Sequence, residues 1–303
     1  GGGKVELSRE FLEEYTGGTL VGISIGFAVL TTVVLGLRFW ARKFQGAEIG
    51  LHDALIVGAF VANLGLCFLG IVMVEIGGVG YHVVALERQN PEILVTWAKV
   101  LLAFEIVYFT AVTLPKLSIL CLYIRVFNWT PRAGMRNVAL LLAGIVIAMW
   151  LSLTVTACFQ CRPIAYWWDK SIPNGSCINV QTFYHAQSIP GFILDLFIMA
   201  LPLKTIWCLK MPKAKRVALL LVFLVASLGV VASIVRAITF FSNSAFNDRT
   251  WAGVPLTGWS IVEASCYIIA NCLPHLRPLI IHFSPQWLKD TTQRLLDKAS
   301  RFV

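Results

Sequence analysis

Charged residues are scarce in this sequence. Asp, Glu, Lys and Arg supply 14% of the 303 residues, whereas 57% are hydrophobic. Soluble domains of this size rarely have such a composition, so a soluble enzyme or binding module is excluded. The short alternating strands of a membrane β-barrel are absent as well. The composition therefore predicts an all-α integral membrane protein.

The motifs of several familiar chemistries are also missing. There is no HExxH pair, and CFQC at 158–161 has no second CxxC, so the usual zinc pattern is incomplete. No Gly-rich phosphate loop of the GxxxxGK[ST] type occurs. The last apolar run, 256–280, contains no lysine to which retinal could attach. We therefore expect neither a metal nor a cofactor.

Long apolar runs are what the chain has in abundance. A helix crosses the bilayer core with about 20 apolar residues, and seven runs reach this length. They are 15–37, 54–74, 98–123, 137–161, 183–207, 217–241 and 256–280. The sequence thus predicts a seven-transmembrane helix bundle that forms one membrane domain, residues 20–281.

The segments that flank this domain are more polar. We expect residues 1–19 to form an extracytoplasmic N-terminal segment, in which Gly1–Gly3 is a cloning remnant. Residues 282–303 place large apolar side chains among basic ones, which is typical of a helix lying in the membrane interface. We expect this tail to be a short amphipathic helix on the cytosolic side.

The Lys and Arg residues are distributed unequally between the two ends of the predicted spans. One end, with the C-terminal tail, carries 16 of them, including Arg38 and Arg42. The other end carries 7, and Lys116 and Arg236 lie inside spans. The positive-inside rule then places the N-terminus outside. The net charge of +9 favours contact with anionic membrane lipids. The basic residues are scattered over short loops, so we do not expect the protein to bind nucleic acid.

The predicted outer loop between the fourth and fifth spans contains Cys161 and Cys177. That side of a secretory membrane is oxidising, so a disulfide is expected, and closing this loop contributes about 3 kcal/mol. The alternative is that all eight cysteines are free thiols. Asn174 begins an Asn-Gly-Ser glycosylation site on the same side. Asn128 begins an Asn-Trp-Thr site on the cytosolic side, where it should stay unmodified.

Four ionisable residues lie at similar depth in four different spans. Counting about 1.5 Å per residue from the outer end puts Arg236 about 8 Å down, Glu105 and Glu263 about 12 Å, and Asp195 about 15 Å. Lys116 falls about 28 Å down, and we expect it to reach the cytosolic face. A charge that faces lipid costs at least a few kcal/mol, so the four residues should face inward, with Arg236 among the acids.

Two interpretations of this polar layer are open. It can be a structural ion cluster that locks four helices, or it can line a water-accessible outer cavity that binds a ligand. Three acids against one arginine, surrounded by hydrogen-bonding and aromatic side chains, favour the cavity. The predicted ligand-binding residues are Glu105, Tyr108, His185, Gln187, Asp195, Arg236, Glu263 and Tyr267.

Several segments resemble the fungal rhodopsin-like seven-transmembrane family, whose members include pathogenicity-receptor-like and toxin-cluster integral membrane proteins. They are HDALIVGAF at 52–60, KVLLAFEIVYFTAVTLPKLSILCLYIRVF at 99–127, FQCRPIAYWWDKSIPNGSCIN at 159–179, LDLFIMALPLKTIWCLKMPKAKR at 194–216, SIVRAITF at 233–240 and WSIVEASCYIIANCLPHLRPL at 259–279. The resemblance covers about residues 20–285. The family's recurrent polar positions match Asp53, Glu105, Lys116, Arg162, Asp195, Arg236 and Glu263 here.

The resemblance implies a membrane protein of the fungal plasma membrane or endomembranes, with one of two functions. The first is a receptor-like protein that binds a small lipophilic molecule, with a cytosolic signalling partner at the basic loops. The second is a membrane-embedded enzyme of secondary metabolism, an acid-catalysed cyclase or isomerase. In that case Glu105, Asp195 and Glu263 are the candidate catalytic acids. A transporter comes third, because paired half-helices broken by Gly or Pro are not evident.

Overall fold

The computed structural model describes residues 14–46, 50–127, 133–208, 213–241 and 248–283. Within these ranges the chain is almost entirely helical. The helices are α1 (Gly17–Phe44), α2 (Leu51–Glu75), α3 (Val83–Gln89), α4 (Glu92–Phe127), α5 (Ala133–Cys158), α6 (Val180–Cys208), α7 (Lys213–Phe241) and α8 (Arg249–Phe283). The predicted interfacial tail and most of the N-terminal segment lie outside the described residues.

Each long helix overlaps one predicted apolar run, and most are longer than the run, by up to seven residues at one end. Helix is the expected form because a segment in lipid must satisfy all its backbone hydrogen bonds internally. Six of them, α1, α2, α4, α5, α6 and α8, are long and apolar enough to cross a membrane. In α7 the described apolar segment is the shorter Leu224–Thr239. The prediction of an all-α membrane bundle is confirmed; a seventh span stays a prediction.

Helix α8 lies at the centre of the bundle. In its most apolar stretch 72% of the residues are buried, against 17% for α5 at the periphery. Large apolar side chains on the outer helices are more than half exposed, for example Val61, Phe68 and Leu141. An exposed apolar surface of this kind suits contact with lipid tails. The buried acids Glu105 of α4 and Glu263 of α8 therefore lie inside the bundle.

A small disulfide hairpin connects α5 to α6. Strand β1 (Cys161–Arg162) pairs antiparallel with β2 (Ser176–Cys177), and a short 3-10 turn (Ile164–Trp167) lies between them. Cys161 and Cys177 face each other across the strands and form the predicted disulfide. We call residues 161–177 the disulfide hairpin and this end of the bundle the hairpin end. Trp167 Nε1 donates to the Ala98 carbonyl at 2.9 Å, which fastens the hairpin to α4.

The start of α8 is fixed by the loop that follows α2. Gly80 N donates to the Thr250 carbonyl at 3.2 Å, and the Gly80 carbonyl accepts from Thr16 N at 3.1 Å. Gly80 has φ +108, and a Cβ there would lie 2.4 Å from Gly17 N, so only glycine fits. Asp248 accepts from Val83 N at 2.9 Å and also contacts His82. These contacts hold α1, α3 and α8 together at the hairpin end.

The opposite end is held by a buried ion-pair network around Asp53. Arg38 Nη2 and Arg42 Nη1 lie 3.0 and 2.9 Å from Asp53 Oδ1, and Asp53 has no exposed surface. Arg38 Nη1 also donates to the Asn271 carbonyl at 2.6 Å, which joins α1 to α8. From the sequence, both arginines were expected in the connection after the first span. Instead they belong to α1, which continues to Phe44, and their side chains are buried.

Candidate functional site

A cavity of about 420 Å³ opens between the helices at the hairpin end. We call it the hairpin cavity. Its walls are mostly aromatic and aliphatic side chains of α4 and α8, among them Trp97, Leu101, Phe104, Phe109 and Leu256. Trp167 and Cys177 of the disulfide hairpin contribute to the same lining. The outer loop that contains Trp167 is therefore part of the cavity wall.

Glu105 lies on the wall of the hairpin cavity. It shares one face of α4 with Trp97, Leu101 and Tyr108, because residues three and four apart align on a helix. The side chain is 5% exposed. Its Oε1 accepts a hydrogen bond from the Tyr184 hydroxyl of α6, whereas Oε2 is buried without a partner. Among the described residues, no cation lies within ion-pair distance of Glu105.

Apart from Arg236 Nε, which makes an ion pair with Glu263, two other buried polar atoms on this cavity lack hydrogen-bond partners among the described residues. They are Trp97 Nε1 and Gln187 Oε1. Both side chains line the hairpin cavity and are less than one tenth exposed. A buried polar atom without a hydrogen bond costs about 1–3 kcal/mol, so such atoms are rare in folded proteins. Trp97 Nε1, Gln187 Oε1 and Glu105 Oε2 therefore leave hydrogen-bonding capacity on the wall of this cavity that no described residue satisfies.

Directly beyond the hairpin cavity, four charged residues form a compact ion cluster of two cations and two acids. Lys116 Nζ lies 2.7 Å from Asp195 Oδ1, and Arg236 Nε lies 3.4 Å from Glu263 Oε2. Ser233 Oγ connects the two pairs, since it lies 2.6 Å from Glu263 Oε1 and 3.5 Å from Asp195 Oδ2. The cluster joins α4, α6, α7 and α8, and its formal charges balance.

Two aromatic rings complete the ion cluster. Tyr108 donates to Glu263 Oε2 at 2.8 Å, and its ring lies 4.5 Å below the Arg236 guanidinium. The ring of Tyr267 lies 5.0 Å from Lys116 Nζ. Aromatic faces stabilise nearby cations, the more so where water is excluded. Tyr108 also lines the hairpin cavity, and it therefore connects the ion cluster to that cavity.

The position of Lys116 corrects an expectation from the sequence. We expected it to extend to the cytosolic face, yet it pairs with Asp195 inside the bundle. Helical side chains tilt toward the helix N-terminus, and α4 begins at the hairpin end. The long side chain therefore points toward the cluster. With Lys116 included, the three predicted acids face two cations instead of one, and Glu105 is the acid left without a cation among the described residues.

The four ionisable residues that we expected in one polar layer do not all lie on the same cavity. Glu105 and Arg236 line the hairpin cavity. Glu263 instead lines a smaller cavity of about 50 Å³, which shares Tyr108, Gln187 and Arg236 with the first. Asp195 lines neither of these cavities and lies in the ion cluster. Depth counting along each helix could not resolve this division, because it ignores which way each side chain points.

The remaining predicted residues have different surroundings. His185 is half-buried next to Tyr184, and it is not among the side chains that line these two cavities. Tyr267 lies at the ion cluster instead of the hairpin cavity. Asn174 is exposed in the turn of the disulfide hairpin, with a left-handed φ of 59°. Asn128 falls outside the described residues.

Most side chains of the hairpin cavity are absent from the predicted ligand-binding set, and those that can bond or pair with a ligand include Trp97, Tyr184, Lys170 and Arg249. The first two could have been found, because Trp97 shares a helical face with Glu105 and Tyr184 shares one with Asp195. Lys170 belongs to the disulfide hairpin and Arg249 begins α8. No periodic pattern connects these two with the helices, so only the fold brings them to the cavity.

From the sequence we expect no GxSxG nucleophile elbow, yet the pentapeptide GISIG at 22–26 matches the letters of this serine-hydrolase pattern. It lies within α1, far from any strand-to-helix turn, and Ser24 Oγ donates to the Leu20 carbonyl at 2.8 Å. Ser24 is therefore a structural hydroxyl. In the part of the chain that the structure describes, no three His, Cys, Asp or Glu side chains are grouped to hold a metal ion.

Comparison with known proteins identifies relatives across most of the chain. The fungal rhodopsin domain matches residues 37–282. The polyenoic acids biosynthesis gene cluster protein Ba17b of Metarhizium anisopliae is 31% identical over 277 residues, which cover 88% of this chain and 75% of that protein. A SAT4 family membrane protein of Emericella nidulans is 31% identical over 198 residues, which cover 65% of this chain and 50% of that protein.

A third relative carries a receptor name. Receptor GIN3 of Arthrobotrys oligospora is 26% identical over 266 residues, which cover 86% of this chain and 62% of that protein. The chain thus spans from half to three quarters of the length of these three relatives. The domain match extends over well more than half of the sequence and contains the whole candidate site. This chain belongs to the fungal rhodopsin domain family.

Proposed function

We propose that this protein is a seven-helix membrane protein that binds a small lipophilic molecule in the hairpin cavity and acts as a receptor. A volume of about 420 Å³ suits a small organic ligand. The aromatic and aliphatic walls favour a mostly apolar molecule. Polar side chains also line the cavity, and those of α4 and α6, among them Glu105, Tyr184 and Gln187, could recognise a polar substituent on such a molecule.

The observation that carries this proposal is the set of three unpartnered polar atoms on the cavity. Trp97 Nε1 is a donor, Gln187 Oε1 is an acceptor, and Glu105 Oε2 is an acceptor or, when protonated, a donor. A ligand with a hydroxyl or carbonyl group near these atoms would complete their hydrogen bonds. Binding would then remove a desolvation cost that the empty protein carries.

We infer that the hairpin end faces away from the cytosol, in the plasma membrane or an endomembrane. The Lys and Arg bias supports this orientation, and so does the disulfide, which persists in oxidising compartments. The ligand would then enter from the extracytoplasmic side, and the membrane lipids would surround the apolar helix faces. A cytosolic signalling partner would meet the basic loops at the Asp53 end.

A receptor needs a ligand that favours one arrangement of the helices over another. A molecule in the hairpin cavity would contact α4, α6, α7 and α8 together, through Glu105, Gln187, Arg236 and Leu256. The ion cluster fastens the same four helices just beyond the cavity. Ligand contacts would therefore act on helices whose relative positions the cluster already restricts. One of the relatives, Receptor GIN3, carries a receptor name.

A membrane-embedded cyclase or isomerase is the second candidate, and Glu105 is the observation that favours it. Among the three predicted acids, Asp195 and Glu263 are paired with cations, whereas Glu105 has no cation within pairing distance in the described residues. A carboxyl in apolar surroundings without a cation favours its protonated form. It could then donate a proton to an alkene, epoxide or carbonyl. Ba17b, a relative, is named for a biosynthetic gene cluster.

The binding proposal is tested by replacing Glu105 with glutamine. The protein is purified from its host membrane into nanodiscs, and retained small molecules are extracted and identified by mass spectrometry. The Glu105→Gln variant should keep the melting temperature of the parent, because the change is nearly isosteric. It should retain at least tenfold less of the parent's ligand. Glu92→Gln is the matched control, since Glu92 is exposed at the start of the same helix.

The same samples separate the two candidate functions. A receptor returns its ligand chemically unchanged after incubation, whereas an enzyme converts it to a product of equal mass and different retention time. If the folded Glu105→Gln variant matches the parent in both ligand retention and conversion, Glu105 is a structural residue and the proposed site is wrong.

A further inference from the structure

The mouth of the hairpin cavity carries two cations, Lys170 from the disulfide hairpin and Arg249 from the first turn of α8. Both side chains line the same cavity. Burial, and secondly the charge of Arg249, lower the pKa of Lys170 below its ordinary value. Lys170 Nζ lies 4.4 Å from the centre of the Tyr166 ring, which helps to hold the cation in place. Two like charges on one cavity repel each other, and an anion between them would offset this repulsion.

Neither cation has a counter-ion among the described residues, although each has an acid next to it in the sequence. Asp169 accepts hydrogen bonds from Ser171 N at 3.0 Å and from Ser171 Oγ at 2.6 Å. Asp248 accepts from Val83 N at 2.9 Å and contacts His82. Both neighbouring carboxylates are thus engaged elsewhere. The third cation of the cavity, Arg236, differs because Glu263 lies 3.4 Å from it.

We propose, building on the function proposed above, that the ligand is a lipophilic organic acid whose carboxylate binds between Lys170 and Arg249. The apolar body then extends along the α4 wall toward Trp97 and Glu105. Charge-assisted hydrogen bonds to a carboxylate are about twice as strong as neutral ones. The mouth of the cavity would thus bind the carboxylate, and the wall near Trp97 and Glu105 would bind an uncharged polar group of the same molecule.

A matched pair of probes, dodecanoic acid and dodecanol, tests this inference. Both have the same apolar chain, and only the acid carries a negative charge at neutral pH. Binding to the detergent-purified protein is measured by native mass spectrometry across a concentration series. The parent should bind the acid at least tenfold more tightly than the alcohol. This comparison needs no variant and so does not depend on how any substitution folds.

A double variant, Lys170→Gln with Arg249→Gln, then locates the effect. It should bind the acid at least tenfold more weakly than the parent and the alcohol within twofold. Lys99→Gln is the control, because Lys99 lies at the same end over the Trp168 ring and does not line the hairpin cavity. Its affinities should equal those of the parent.

The outcomes distinguish this inference from the function on which it rests. Equal binding of acid and alcohol by the parent would overturn the anion site and leave the lipophilic cavity intact. Unchanged acid binding in the folded double variant would also overturn it. Failure of the parent to bind either probe, together with no ligand in the extracts described above, would overturn both.

Discussion

Lys116 of α4 and Asp195 of α6 form an ion pair of 2.7 Å inside the bundle, with the Lys116 side chain only 11% exposed. The pair joins two helices that are also linked by the hydrogen bond from Tyr184 of α6 to Glu105 of α4. It also balances the charge of the ion cluster, so that Glu105 is left as the acid without a cation. The division between a structural cluster and a functional cavity depends on this pair.

Replacing Lys116 with methionine should lower the free energy of unfolding by about 3–5 kcal/mol, because Asp195 would keep its charge in a buried site without a cation. The second change, Asp195→Leu, should restore most of the loss in the double variant. Denaturant unfolding in detergent measures both effects. Lys99→Met, an exposed lysine on the same helix, is the control. A single variant as stable as this control would contradict a structural role for the pair.

Asp53→Asn should be similarly destabilising, by about 3–5 kcal/mol, since it leaves Arg38 and Arg42 buried without their anion. The loss should appear in thermal unfolding of the purified protein. Glu75→Gln removes a carboxylate from the exposed end of the same helix and should change stability by less than about 0.5 kcal/mol. Equal melting temperatures for the two variants would show that Asp53 is not the anchor of this end.

Replacing both Cys161 and Cys177 with serine should lower the unfolding free energy by about 3 kcal/mol, because the unfolded chain would no longer be restricted by a closed loop of this length. Cys177 also lines the hairpin cavity, so ligand retention should fall as well. Cys158→Ser is the control, since Cys158 is a free cysteine just before the hairpin. Recovery of Cys161 and Cys177 as alkylated thiols from the unreduced parent would show that this disulfide does not form.

The proposed orientation predicts a glycan on Asn174 and none on Asn128. Asn174 is exposed in the disulfide hairpin, where the glycosylation machinery can reach it. Peptide mass spectrometry after enzymatic deglycosylation in heavy water identifies occupied sites. Ser176→Ala should abolish the modification by destroying the acceptor sequence. Occupancy at Asn128 with an empty Asn174 would reverse the topology of the whole bundle.

The positions of the helices could be predicted from the sequence because crossing a bilayer imposes a length and an apolar character on each segment. The disulfide followed from the predicted compartment and the loop. The inward position of Glu105 followed from the cost of exposing it to lipid. Each of these rests on a property of one segment and its solvent, and needs no knowledge of how segments pack.

The pairing of side chains could not be predicted in this way. Lys116 was assigned to the wrong end because distance along the helix says nothing about side-chain direction. Arg38 and Arg42 look like ordinary interfacial charges until Asp53 is known to lie beside them. Lys170 and Arg249 line the same cavity only because the disulfide hairpin folds over this end of the bundle. These are relationships between segments distant in sequence, and only packing establishes them.

The Asp53 network has a consequence for how the protein is made. Its Arg38–Asp53 pair spans only 15 residues, so α1 and α2 can lock together soon after both have left the ribosome. The hairpin cavity needs Arg249 and Leu256, which are synthesised roughly 10–40 s later at usual rates of elongation. A nascent chain therefore has one end of its bundle anchored well before it has a binding site. Truncated chains that stop before α8 should insert and hold α1 against α2, yet have no ligand to stabilise them.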